Sequence, residues 1–219
     1  MKIKKIHSQV VRVPLDEPLA GGPPYARSHN QFVILTLETD ADGIQGLGVS
    51  FFGGMLSATV KYAIDQLGER VIGDDPLRIE AVTQKLRSTA ASAGPSGILT
   101  LAISAIDMAL WDIKGKFLDQ SLSAMLGGLR DRVPTYASGA LVRGYPLDHL
   151  EKAARILVEK GFRQMKTQLA LPGDTTPARE AEHARRIRAA VGPDIDLMCD
   201  INQRWTAHQA MDIGKRVEE

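Results

Sequence analysis

The chain has 219 residues, 44% hydrophobic and 24% charged, with 27 Lys and Arg against 26 Asp and Glu for a net charge of +1. This is the composition of an ordinary globular protein long enough for a sizeable core, and it holds no charge excess for nucleic acid or an anionic membrane surface. A lone Cys199 excludes an internal disulfide framework, cannot build a zinc site by itself, and suits a reducing cytoplasm.

The opening Met1-Lys2-Ile3-Lys4-Lys5 is basic, but His7, Ser8, Gln9 and Arg12 follow where a secretory leader needs an apolar run, so no leader is expected. No run approaches the ~18 to 20 apolar residues of a membrane-spanning helix. Small molecules, or further copies of the chain, are therefore the expected partners. Lys2 to Val13 alternates as a strand. A Gly- and Pro-rich stretch, Asp16 to Asn30, is too long for a simple turn, and loops of about 12 to 15 residues tend to be functional or disordered. Strands Gln31 to Thr39 and Ile44 to Phe51 flank the turn signal Asp40-Ala41-Asp42-Gly43, as in an antiparallel hairpin. Helical spacing follows over Leu56 to Val71, Pro76 to Thr89 and Gly97 to Leu118. The last is apolar around most of its circumference and predicts a central buried helix, with Met108 and Trp111 in the core.

From Val133 the rhythm changes to strand Val133 to Ser138, helix Leu147 to Lys160, strand Gln164 to Leu171, helix Thr176 to Ala190, strand Ile195 to Ile201 and helix Ala207 to Glu218. Such alternation predicts parallel strands joined by helices. The fold expected is an α+β domain over residues 1–125, then three βα units over residues 126–219. Lys166 and Gln168 share one face of a strand, and Asp200 and Asn202 one face of the next, at the carboxyl ends where α/β folds place their chemistry. By spacing alone a strand-end lysine is usually a solvated group and an aspartate before a turn often caps it. His7, His149, His183 and His208 show no ligand spacing and are expected at the surface.

The run Ala109-Leu110-Trp111-Asp112-Ile113-Lys114-Gly115-Lys116, the Leu126-Gly127-Gly128 crossover, Lys166 on the second of these strands and Asp200-x-Asn202 on the third together resemble the enolase superfamily, in its mandelate racemase and muconate-lactonizing branch. The resemblance covers nearly the whole chain. It implies an α+β capping domain followed by the first βα units of a (β/α) TIM-like barrel. It also implies Mg²⁺ at the barrel mouth, removal of the proton α to a substrate carboxylate, and an enediolate stabilised by the ion. Asp200 would be a metal ligand, and Lys166 a cation beside the enediolate or a base with its pKa lowered by neighbouring positive charge. Asn202 would bind substrate. Tyr25, Arg27 and His29 from the long loop, and Phe52 from the Phe51-Phe52-Gly53-Gly54 segment, would reach the substrate as well.

The branch commonly has Lys-x-Lys where this chain has Lys166-x-Gln168. An amide takes no proton at neutral pH, so two-base racemisation is disfavoured and a one-base lyase, an acid sugar dehydratase, is expected, with Gln168 orienting a hydroxyl. A racemase, epimerase or cycloisomerase is the alternative within enzymes. From another class, the chain alone would be a silent fragment or an assembly module, because Arg130 to Glu219 supplies 90 residues where a barrel needs eight strands and about 250. The expectation is thus the front portion of a longer, homo-oligomeric cytoplasmic enzyme.

Overall fold

Alternation of apolar and polar residues in the first three strands builds one antiparallel sheet in the order β1 (Ile3–Pro14), β2 (His29–Thr39), β3 (Gln45–Ser50). The computed structural model describes every residue except Glu17, residues 22–28 and 52–54, Asp174 and Glu219. At the hairpin, Thr39 Oγ1 donates to the Ile44 carbonyl at 2.7 Å and thereby closes the 40–44 turn from within. Val33, Leu35 and Leu37 point to the same side of β2 and are buried, each worth about 1.5–3 kcal/mol against exposure.

That side meets α1 (Ser57–Gly68) and α3 (Ile98–Leu118), with α2 (Ile79–Thr89) packed on α3. In α3, Ala102, Ile103, Ala105, Ile106, Ala109, Leu110 and Ile113 are buried. Contact with β3 is close because both sides are small: a Cβ added at Gly46 would fall 2.0 Å from the Ala109 carbonyl oxygen, and one at Gly48 would fall 1.9 Å from that of Ala105. Ala105 and Ala109 are one turn apart and Gly46 and Gly48 two residues apart, so strand and helix periods coincide at this seam. Trp111 packs at the edge of this core. Met108 does not join it and is 50% exposed, since it lies on the face of α3 turned from the sheet. A four-residue helix, α4 (Leu122–Met125), follows α3 where the sequence suggested only a crossover.

The second region is a parallel sheet in the order β4 (Ala137–Leu141), β5 (Gln164–Gln168), β6 (Asp196–Asp200). Helix α5 (Leu147–Glu159) links β4 to β5, α6 (Pro177–Val191) links β5 to β6, and α7 (Ala207–Glu218) follows. An α+β layer and then the opening βα units of a barrel are thus both present. Helix α6 begins on cue: the Thr176 hydroxyl accepts from the Arg179 N–H at 3.3 Å and Pro177 occupies the first turn, where its missing N–H costs nothing. The first strand lies later than the sequence suggested. Val133 is 77% exposed, and the pairing partner of Met165 is Ala137. Pairing with β5 is made at Ala137 with Met165 and at Leu141 with Thr167, and the register shifts across Ser138, Gly139 and Ala140 between them.

Contacts divide the chain into two compact units, residues 1–15 with 27–131, and residues 16–26 with 132–219. Leu19 and Ala20, from the long loop, pack against the second unit's apolar core. No helix among the described residues is long and apolar enough to cross a membrane.

Candidate active site

Strand β5 alternates cleanly. Met165 and Thr167 are buried toward the helices, and Gln164, Lys166 and Gln168 are only half-buried on the other face. Parallel pairing sets Gln168 opposite Asp200 and Lys166 opposite Met198. Lys166 lies diagonally across from Asp200, within reach of a long side chain. The Lys166 Nζ stands 2.9 Å from Asp200 Oδ2 and 5.6 Å from the centre of the Tyr136 ring.

Strand β6 ends at Asp200, so Asn202 does not share a strand face with it as the sequence suggested. Asn202 and Gln203 instead take left-handed backbone conformations, φ 47° and 61°. The turn is held by Asp200 itself, whose Oδ1 accepts from the Asn202 N–H at 2.8 Å, while Asn202 Nδ2 donates to Oδ2 at 3.3 Å. This is the local turn chemistry that aspartate favours. Capping and pairing with Lys166 therefore coexist in one carboxylate.

Arg143, just past β4, was not singled out from the sequence. Its Nη2 donates to Asn202 Oδ1 at 2.7 Å and to the Asp200 carbonyl at 3.2 Å, and its backbone N–H reaches Gln168 Oε1 at 3.5 Å. One guanidinium at the end of β4 thus braces the turn after β6. Burial and the nearby Arg204 lower its pKa, while Asp200 and Glu180 oppose that shift.

The electrostatics follow from these contacts. The Asp200 carboxyl is held below the usual carboxylate range, first by the Asn202 N–H and then by Lys166. The Lys166 ammonium is raised above its ordinary value, chiefly by its hydrogen bond to Asp200. In this arrangement the charge facing Lys166 is negative and favours its cationic form.

Lys166, Gln168, Asp200 and Asn202 are brought together. His29 belongs to the other unit, at the start of β2, paired in register with Pro14 and with its ring 3.4 Å from Gln31 Nε2. Tyr25, Arg27 and Phe52 lie outside the described residues. Phe51 is 42% exposed, with its ring 5.1 Å from that of Phe32.

Sequence reasoning missed a buried layer beneath this surface. His183 is not at the surface but 4% exposed, and Glu180 is fully buried. Burial pushes the His183 imidazole below its ordinary pKa, with Glu180 opposing and Arg186 reinforcing the shift. The available signal was that both sit on the Ala181, Ala184, Ile187 face of α6, where a charged residue needs a partner.

Asp200 offers magnesium one hard oxygen donor. Among the described residues no group of three or more His, Cys, Asp or Glu is placed to hold a metal ion, so the described residues do not form a complete magnesium site.

Residues 10–127 match the family model for the mandelate racemase / muconate lactonizing enzyme N-terminal domain, and residues 148–219 match that for the enolase C-terminal domain-like family. An L-talarate/galactarate dehydratase of Salmonella typhimurium is 30% identical, over 85% of this chain and 46% of its own. A D-galactarolactone cycloisomerase of Agrobacterium fabrum is 31% identical, over 99% of this chain and 56% of its own. The crystal structure of a racemase from Streptomyces coelicolor with bound magnesium superposes with a TM-score of 0.87 at 28% identity, covering 99% of this chain and 59% of that one. The chain spans about half the length of the curated relatives it matches. Its sequence matches and its fold together make it a member of the enolase superfamily, in the mandelate racemase / muconate lactonizing branch.

Proposed function

We propose that this chain carries the capping domain, residues 1–125, and the first barrel units, residues 126–219, of an acid sugar dehydratase that removes the proton α to a carboxylate. The observation that carries this reading is the Lys166 ammonium 2.9 Å from Asp200 at neighbouring strand ends. Asp200 is the residue here that would hold Mg²⁺, which when bound supplies fixed positive charge beside a substrate carboxylate.

An α C–H adjacent to a carboxylate is weakly acidic. Its proton passes to a base on the opposite face, which the resemblance places on later strands than those of this chain. The electron pair stays in a doubly negative enediolate until the same base returns the proton to the departing hydroxyl. Lys166, as a cation, stabilises that charge by electrostatics already in place before the reaction. Collapse of the enediolate re-forms the carboxyl group and expels the β-hydroxyl with a proton, so that one water is lost overall. Asn202, oriented by Arg143, donates to a substrate oxygen, and Gln168 orients a hydroxyl. Tyr25, Arg27, His29 and Phe52 are proposed to meet the distal end of the substrate. A cytoplasmic location and a symmetric homo-oligomer complete the proposal.

Cycloisomerisation is the second reading. It is favoured by the D-galactarolactone cycloisomerase, whose match extends over 99% of this chain. The test is incubation of the protein, as its own gene produces it, with a panel of acid sugars and their lactones in deuterium oxide, monitored by NMR. Loss of water with α-deuteration supports the dehydratase, and ring opening or isomerisation supports the alternative. Absence of both from every compound overturns the enzymatic reading. Lys166→Met should abolish α-exchange, and retained exchange would sink the role given to Lys166.

A further inference from the structure

Two buried side chains one turn apart on α6 hold β5 from the side opposite Lys166 and Gln168. Glu180 Oε2 accepts from the Ala170 N–H at 3.0 Å and Oε1 from the Leu171 N–H at 2.8 Å. His183 Nε2 lies 3.3 Å from the hydroxyl of Thr167, the fully buried residue between Lys166 and Gln168. That hydroxyl also lies 3.5 Å from the Leu141 carbonyl of β4. Ala170, two residues beyond Gln168, is held at φ 60°, a left-handed conformation that an alanine adopts only when its surroundings impose it. Two adjacent N–H groups, those of Ala170 and Leu171, converge on the two oxygens of the Glu180 carboxyl at this turn.

We infer that Glu180 and His183 are positioning residues, a clamp from α6 that fixes the end of β5 and so sets Lys166 and Gln168 opposite Asp200. The catalytic part of this inference rests on the proposed carbon-acid reaction, and the structural part does not. Both lie on the side of the strand away from its half-exposed face, Glu180 acting through two backbone N–H groups and His183 through the Thr167 hydroxyl. Displacement of about 1 Å at a reacting group is enough to lower a rate a hundredfold without weakening binding.

The experiment compares E180Q, E180Q combined with A170G, and T167V in the protein as its gene produces it. An amide at position 180 keeps the shape but turns an NH2 toward one of the two N–H groups. E180Q should speed amide hydrogen exchange at Ala170 and Leu171 at least tenfold and lower kcat about tenfold or more, with KM changed less than about twofold. Glycine at position 170 adopts the left-handed conformation unaided, so the double variant should regain most of the lost kcat. A general loss of packing around a buried glutamine would not be rescued in this way. T167V, which keeps the side-chain shape, should lower kcat several-fold at unchanged KM, and it decides the matter if E180Q fails to fold. Unchanged exchange and kcat in E180Q, failure of A170G to rescue, or wild-type kcat in T167V would each overturn the clamp. If the wild type turns over no acid sugar, the reading of function fails by itself, and amide exchange at Ala170 and Leu171 in E180Q still decides the structural part of the clamp.

Discussion

The two units bury polar groups of different kinds. Among the described residues of the first, the buried polar ones are Ser8, Ser50, Ser57 and Thr83, hydroxyls with short reach and no charge. Ser50 donates to the Leu101 carbonyl of α3 and Thr83 to that of Ile79 one turn back in α2, so these hydroxyls are satisfied by helix carbonyls inside an otherwise apolar core. In the second, the buried set is Arg143, Thr167, Glu180 and His183, three of them titratable. Desolvating such groups costs several kcal/mol unless each finds partners. The first unit is held by shape, whereas the second accepts costly polar burial directly beneath Lys166 and Asp200. That expense falls where side chains must be held to fractions of an ångström.

The contrast can be broken most severely at the shape-dependent seam. Gly48→Ala would drive a Cβ to 1.9 Å from the Ala105 carbonyl oxygen, backbone that cannot yield cheaply. Destabilisation of roughly 3 kcal/mol or more is expected, read as a lowered urea midpoint. Leu110→Ala, at a fully buried site on α3, should cost about 2–5 kcal/mol by the same measurement, through a cavity and not a clash.

The second unit should instead respond to pH. The folded-state pKa of His183 lies below its unfolded value, so its neutral form is favoured by folding. Stability is then undiminished above the ordinary imidazole pKa of about 6.5 and falls as pH drops below it, down to the folded pKa. A urea midpoint that decreases from pH 7 to pH 5, with a flatter slope in H183Q, checks this. The smallest effect belongs to the surface: Lys85→Met, which removes a 2.8 Å pair with Asp74 at a half-exposed site, should change stability by less than about 1 kcal/mol.

What the sequence disclosed follows the same division. Period and turn chemistry placed β2, α3 and the βα alternation to within a few residues, because those elements are built from local pattern and apolar burial. Lys166, Gln168 and Asp200 were legible from strand period and resemblance. Arg143 was not, since nothing local to Leu141-Val142-Arg143 says that the turn after a strand almost sixty residues on will need its guanidinium. Asn202 was assigned to a strand because alternation continues on paper, but the Asp200 carboxyl accepts its N–H and turns the chain first. Glu180 and His183 were hidden by the solvent-facing residues of α6, which made the helix look like an ordinary amphipathic one.

The long loop carries a consequence for the order of assembly. Leu19 and Ala20 are synthesised more than a hundred residues ahead of the core they join, which begins at Ala137. At roughly 5–20 residues per second on the ribosome, β1 can find β2 and β3 soon after they emerge, while the segment between β1 and β2 waits many seconds for its own partners. During that interval it is a closed loop rooted in a finished hairpin, so its two ends are already together when its docking surface appears. Docking of Leu19 and Ala20 would therefore report completion of the second core, and protease access at those two residues during synthesis would time it.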